Sequence, residues 1–247
     1  MTSLSVRKLF VRSGGKIILK GINLELEGGE RILLLGPNGS GKSSLIQTIM
    51  GNPRYEIVSG EIYLDSERIT ELPTEDRVSR GLGVVFQMPP VIRGISLMDL
   101  LAKISKRSGV SIEDVRVVAD ELNATHLLDR SLNQGFSGGE MKKAELLLLY
   151  AQNPRIALID EIDSGVDVDS LNSVGKVLQS MFSDEDRTLL LVTHTGHIAK
   201  YVSVNTAYVM INGRIACRGE PSKILETIFR EGFNKCLECV GVEDEAG

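Results

Sequence analysis

The chain has 247 residues, 42% of them hydrophobic and 25% charged, with a formal net charge of −5. That length and apolar fraction suit one large domain or two joined lobes with a sizeable core, and exclude a disordered or low-complexity chain. The negative balance leaves no surplus of Lys and Arg for phosphate backbones, so nucleic acid is not expected as a partner.

In chain order, the first 35 residues alternate in the β manner, as in Ile22-Asn23-Leu24-Glu25-Leu26-Glu27, and turn at Gly28-Gly29. Arg31–Leu35 then reads as a strand covered on both faces, ending in a Gly-rich loop and a helix from near Lys42. A β segment over 61–65 precedes a strand over 83–86. From Pro89 to Ala151 the apolar spacing becomes helical: Leu97, Leu100, Leu101 and Ile104 share one face, as do Ile112, Val115, Ala119 and Leu122. Ser137 with Glu140 three residues on is a capping box, opening a helix that carries Leu146–Leu149. After Pro154 the α/β alternation resumes. A strand over 156–160 leads to a helix with Leu171, Val174, Leu178 and Met181, then a strand over 189–193 and a hairpin around Asn212-Gly213. The expected organisation is an α/β core, residues 1–87 and 154–247, interrupted by a helical insert over 88–153.

No charged-then-apolar leader opens the sequence, and the longest apolar stretches, 32–35 and 146–151, are too short to span a bilayer. Three cysteines cannot close a disulfide framework, so a cytoplasmic chain with reduced thiols and no direct membrane insertion is expected. Cys236 and Cys239 tempt a metal reading, but with Cys217 they supply only three of four tetrahedral ligands, and a solvated tail dithiol is the better reading. The acidic stretch 238–245 reads as a solvated end, and His126 and His197 as helix-surface residues.

Gly36-Pro37-Asn38-Gly39-Ser40-Gly41-Lys42-Ser43 matches the pattern G-x-x-x-x-G-K-S, with a strand before it and a helix after. The glycines let successive backbone N–H groups turn in around a β-phosphate, and the helix N-terminus adds positive potential. Lys42 supplies a point charge to β- and γ-phosphates, and the Ser43 hydroxyl suits Mg²⁺. Asp160 and Glu161 end an apolar strand, where one carboxylate holds Mg²⁺ through water and the next polarises an attacking water as general base. Phe136-Ser137-Gly138-Gly139-Glu140 makes a second Gly-rich helix N-terminus fit for anionic phosphate. Gln87 and His194 each follow a strand end.

This order of elements, P-loop, Gln, Ser-Gly-Gly helix, strand-Asp-Glu, Ser164-Gly165-Val166-Asp167 and His, resembles that of ABC ATPase subunits over nearly the whole chain. The resemblance implies a nucleotide-binding domain with a P-loop NTPase core, an antiparallel β subdomain and a helical insert. It also implies an ATP-dependent homodimer, with two ATP molecules sandwiched head to tail. Ser137, Gly138 and Gly139 of one subunit would contact the γ-phosphate held by the other's Lys42, and Asp167 would cross the interface. Gln87 would sense Mg²⁺ and water, and His194 would stand at the γ-phosphate. Ser44, where Thr is usual, is counted with the nucleotide-binding residues. No aromatic is placed to stack on adenine.

Within that family the sequence is most similar to the SufC subfamily of iron–sulfur cluster assembly ATPases. Glu140 stands where transport ATPases have Gln, and Ile162 where they have Pro. The likeness runs through 135–143, 160–169 and the segment Met88 to Ser96. It implies a SufB/SufD-like scaffold partner docking near Met88, Val91 and Ile92. Two rivals remain open: the ATPase of a membrane transporter, and a nucleotide-gated interaction protein with negligible turnover.

Overall fold

The computed structural model describes residues 3–233 and 235–236, which form two sheets and seven α-helices. The smaller sheet is antiparallel, in the order β2-β1-β4-β5, from β1 (Leu4–Ser13), β2 (Lys16–Leu26), β4 (Glu56–Leu64) and β5 (Glu67–Arg68). The larger sheet is ordered β10-β9-β3-β8-β7-β6, from β3 (Arg31–Leu35), β6 (Leu82–Val85), β7 (Ile156–Asp160), β8 (Thr188–Thr193), β9 (Thr206–Ile211) and β10 (Arg214–Gly219). β6 to β9 and β3 pair in parallel, and only the edge hairpin β9–β10 is antiparallel.

The unbroken apolar run of β3 follows from this placement. Ile32 and Leu34 pack into one hydrophobic cluster, with the small sheet and α1 (Lys42–Ile49). Leu33 and Leu35 pack into a second cluster on the opposite face, with the helices of the insert. Side chains alternate across a strand, so a strand buried on both faces has no polar position to offer. β8 divides in the same way, Leu190 and Val192 against Leu189 and Leu191.

Between β6 and β7 lie α3 (Leu97–Ser108), α4 (Ile112–Glu121) and α5 (Gly138–Gln152). Each opens on a serine cap, Ser96, Ser111 and Ser137, whose hydroxyl accepts a backbone N–H of the first turn. At Ser137 the capping box is complete, and α5 is buried nearly all round, Ala144, Leu146, Leu147, Leu149 and Ala151 being inaccessible. α2 (Thr74–Ser79), α6 (Val168–Met181) and α7 (Pro221–Glu231) complete the helices.

The turn Asn212-Gly213 has positive φ at both residues, 51° and 81°, as a two-residue hairpin requires. It also ties the two sheets together. Gly213 N–H donates to Ser40 O at 2.9 Å, and Gly213 O accepts Lys20 N–H at 2.8 Å. A Cβ on Gly213 would lie 2.1 Å from Ile18 O, so the closeness of β2 to this turn demands glycine.

Cys236 differs from the solvated-tail expectation. It is buried, packed in the larger cluster with Ile224 of α7. Cys239 and the acidic stretch lie outside the described residues. Among the described residues no helix is long and apolar enough to cross a membrane.

Candidate functional site

Four neighbouring strands, β3, β8, β7 and β6, end on one edge of the parallel sheet, and each delivers one part of the site. Crevices beyond the carboxyl ends of parallel strands are where such sheets bind ligands. The loop 36–41 leaves β3 and passes into α1, with Gly41 capping the helix at φ 107°. Gly36 is packed so closely that a Cβ would stand 2.2 Å from Met210 O. Lys42 is buried and its Nζ donates to Gly36 O at 2.8 Å and Pro37 O at 3.0 Å, which fixes the ammonium across the loop. Burial pulls the Lys42 pKa down, and the charges of Glu161 and Asp160 push it back up.

Glu161 is the centre of the remaining three. Gln87 Nε2, beyond β6, donates to its Oε2 at 2.7 Å, and His194 Nδ1, beyond β8, bonds its Oε1 at 3.1 Å. Both carboxylate oxygens are therefore held from opposite sides. The residue also sits in the left-handed region at φ 51°, with its N–H donating to Val192 O at 2.8 Å. A left-handed non-glycine residue is strained by about 1–2 kcal/mol, and such strain gathers at functional sites. A cleft of about 250 Å³ opens here, lined by Asn38, Gly39, Gly41, Lys42, Ser43 and Ser44 with Gln87, Glu161 and Ile18.

Asp160, one residue earlier, is buried, and its Oδ1 makes no hydrogen bond among the described residues. Burial raises its pKa, the Ser43 hydroxyl bonded to it lowers it, Glu161 raises it, and Lys142 and Lys42 lower it. A buried, unsatisfied carboxylate oxygen beside a serine hydroxyl is a donor set that suits Mg²⁺, which takes few protein ligands and completes its shell with phosphate and water.

The other expected residues stand apart from this cleft. Ser137, Gly138 and Asp167 are exposed and, like Gly139, do not line it. Asp167 caps α6, its Oδ1 accepting Ser170 N–H at 2.9 Å. At the other helix start, Glu140 Oε2 accepts Ser137 N–H at 2.7 Å, while Oε1 bonds His126 Nε2 at 3.0 Å and Arg130 Nη1 at 3.5 Å. The Glu140 pKa is held at about 2, chiefly by the Ser137 amide and then by His126. His126 is thus exposed, as expected, but is tied to the helix that follows the Ser-Gly-Gly turn.

Sequence reasoning passed over several residues here. Ile18 of β2 is the apolar wall of the cleft, a contribution from the small sheet that no motif marks. Lys142 and Glu145 of α5 are both buried charges under the segment that carries Gln87. Lys142 Nζ donates to Gln87 O at 3.0 Å and Phe86 O at 3.3 Å. Burial raises the Glu145 carboxyl to about 7, against the Phe86 amide and the Asn133 side chain, which lower it. No motif marks the pair: α5 also carries the less buried Glu140 and Lys143, so spacing alone does not separate the two buried charges from their neighbours.

After Gln87, Met88 is 87% exposed and Val91 54% exposed. Ile92 departs from the expected docking patch. It is half-buried against the helical cluster, and its N–H donates to Leu132 O at 3.1 Å. Ile95 is exposed in its place.

Comparison with known proteins agrees with this geometry. Residues 19–164 match the family described as ABC transporter. The chain is 36% identical to Vegetative protein 296 of Bacillus subtilis, over 99% of this chain and 97% of that one. It is also 36% identical to the Probable ATP-dependent transporter ycf16 of Cyanophora paradoxa, over 96% of each. A solved ATP-binding cassette of an ABC transporter in its ADP conformation has the same fold, with a TM-score of 0.76 at 24% identity, over 97% of this chain and 98% of that one. The chain belongs to the ABC transporter family, of which it is an ATP-binding, ATP-hydrolysing subunit.

Proposed function

We propose that this ATPase drives a SufB/SufD-like iron–sulfur cluster assembly scaffold, closing as a head-to-tail homodimer around two Mg-ATP. One observation carries the hydrolytic part: the doubly held Glu161 carboxylate faces the cleft that Lys42, Ser43 and the loop glycines line. Backbone N–H groups of 36–41 and the N-terminus of α1 bind the phosphates, and Lys42 adds its charge. Gln87 and His194 orient Glu161, which takes the proton of the attacking water at Oε1 or Oε2. Ser43 and Asp160 would hold Mg²⁺, which would supply positive charge to offset that of the phosphate oxygens. His194 lies beside Glu161, where its ring stabilises charge spreading over the γ-phosphate. The Ser137-Gly138-Gly139 start of α5, exposed at Ser137 and Gly138, and exposed Asp167 suit contact with the second subunit rather than with their own cleft.

Closure of two subunits moves the helical lobe, residues 88–153, against the core, 1–87 and 154–247, and reshapes the partner. The cluster-assembly reading is supported by Glu140, an acid where transport ATPases have Gln, with His126 and Arg130 gathered on its carboxylate. Ile162, in place of Pro, supports the same reading and is buried in the core. Met88 and Val91 offer an apolar docking surface directly after Gln87. Their place in a cytoplasmic complex is tested by purifying the native assembly. A soluble partner with iron–sulfur absorbance supports the reading. An integral membrane partner supports instead a transporter, the role named for the Cyanophora paradoxa relative. Met88→Asp and Val91→Asp should abolish co-purification while leaving the melting point and ATP affinity unchanged, and normal binding by both variants places the docking surface elsewhere.

A further inference from the structure

His194 stands between two threonines whose hydroxyls converge on one buried carboxylate that the hydrolysis has not yet used. Asp163 lies two residues beyond Glu161 and is buried. Its Oδ2 accepts Thr195 Oγ1 at 2.6 Å, Thr193 Oγ1 at 2.8 Å and Ile198 N–H at 3.4 Å. The Thr193 hydroxyl in turn accepts Thr195 N–H at 3.0 Å and Gly196 N–H at 3.1 Å. Asp163 Oδ1 has no hydrogen-bond partner among the described residues, so a single oxygen carries the whole network. Burying a carboxylate is costly unless hydrogen bonds compensate it, and here every compensating bond comes from the turn that carries His194.

The turns 161–163 and 193–198 are thereby joined at two points. The His194 ring meets Glu161, and the hydroxyls on either side of His194 meet Asp163. A ring's direction follows from the backbone that bears it, and this backbone is fixed from both sides. We propose that Asp163 is a positioning residue for ATP hydrolysis, which sets His194 against Glu161 through Thr193 and Thr195 and makes the two turns move as one. The inference rests on the roles given above to Glu161 and His194. It adds a path: a displacement of 164–167, the segment offered to the second subunit, reaches His194 through the side chain that immediately precedes it.

Steady-state phosphate release by the full-length chain tests this with Thr195→Val, which deletes one donor and leaves Asp163 its other two. Turnover should fall about tenfold or more, since misplacing a reacting group by about 1 Å costs up to about a hundredfold, while KM for ATP stays within about twofold. Thr195→Ser, which keeps the hydroxyl, should restore the rate. In a His194→Ala background Thr195→Val should cost nothing further, an outcome that a purely structural role for the threonine would not produce. Wild-type turnover in Thr195→Val, or the same loss in both backgrounds, overturns the coupling. Wild-type turnover in His194→Ala alone overturns the role of His194 itself, and the coupling with it.

Discussion

Glu161→Gln separates binding from hydrolysis with little disturbance of the structure. The carboxylate accepts from Gln87 Nε2 at 2.7 Å and meets His194 Nδ1 at 3.1 Å. A glutamine keeps both contacts, its oxygen accepting from Gln87 and its amide donating to Nδ1 of the other imidazole tautomer. Neither bond, worth about 1 kcal/mol each, is lost, and the melting point should move by no more than about 2 °C in a chain of this length. What is lost is the proton acceptor. General-base catalysis contributes about 10²–10⁴ in rate, which corresponds to about 3–5 kcal/mol of barrier. Nucleotide affinity, read by titration with a fluorescent ATP analogue, should be unchanged or slightly higher, because one negative charge near Lys42 is gone. Lys42→Ala should do the reverse, weakening binding by about 10–100-fold through loss of a charge-assisted contact worth about 1.5–3 kcal/mol. Phosphate release by Glu161→Gln within about threefold of wild type would falsify the assignment of Glu161 as base.

Three further outcomes are expected. In the Glu161→Gln background, Mg-ATP should shift the mass measured by sizing with light scattering toward a dimer, and Ser137→Arg should block the shift. An ATP-independent mass, with or without the partner, rules out the sandwich. Burial raises the Glu145 carboxyl from 4.5 to about 7, so the folded chain holds a proton there that the unfolded chain releases. Stability therefore falls as pH rises from 4.5 through 7. Relative to Glu145→Gln, wild type should lose about 3 kcal/mol between about pH 4.5 and about pH 8 in urea unfolding, and parallel curves would contradict the burial argument. Gly213→Ala would place a Cβ 2.1 Å from Ile18 O at a φ of 81°. It should lower stability by about 2–4 kcal/mol and weaken ATP binding with it, because Gly213 N–H holds Ser40 O. A normal urea midpoint would show that β2 gives way freely at this point.

The sequence alone determined the parts of this protein whose chemistry is local. The glycines, lysine and serine of 36–43 stand in consecutive positions, so a tight loop passing from a strand into a helix at Lys42 was legible without any fold. The capping box Ser137–Glu140 and the Asn212-Gly213 turn were legible for the same reason, since each closes its hydrogen bonds within a few residues. Strand β7 ended at Asp160 as its apolar run foretold. Partners distant in sequence were not legible. Glu161 meets Gln87 and His194 across 74 and 33 residues, because β6, β7 and β8 lie side by side. Ile18 reaches the nucleotide cleft only because the Gly213 turn draws β2 against the loop, and Ile92 turns inward because Leu132 takes its N–H. Asp163, Lys142 and Glu145 carry no mark of burial in one dimension. A charge is committed to the interior only when the carbonyls, amides and hydroxyls that compensate it arrive from other elements, and that arrival is a property of the tertiary structure.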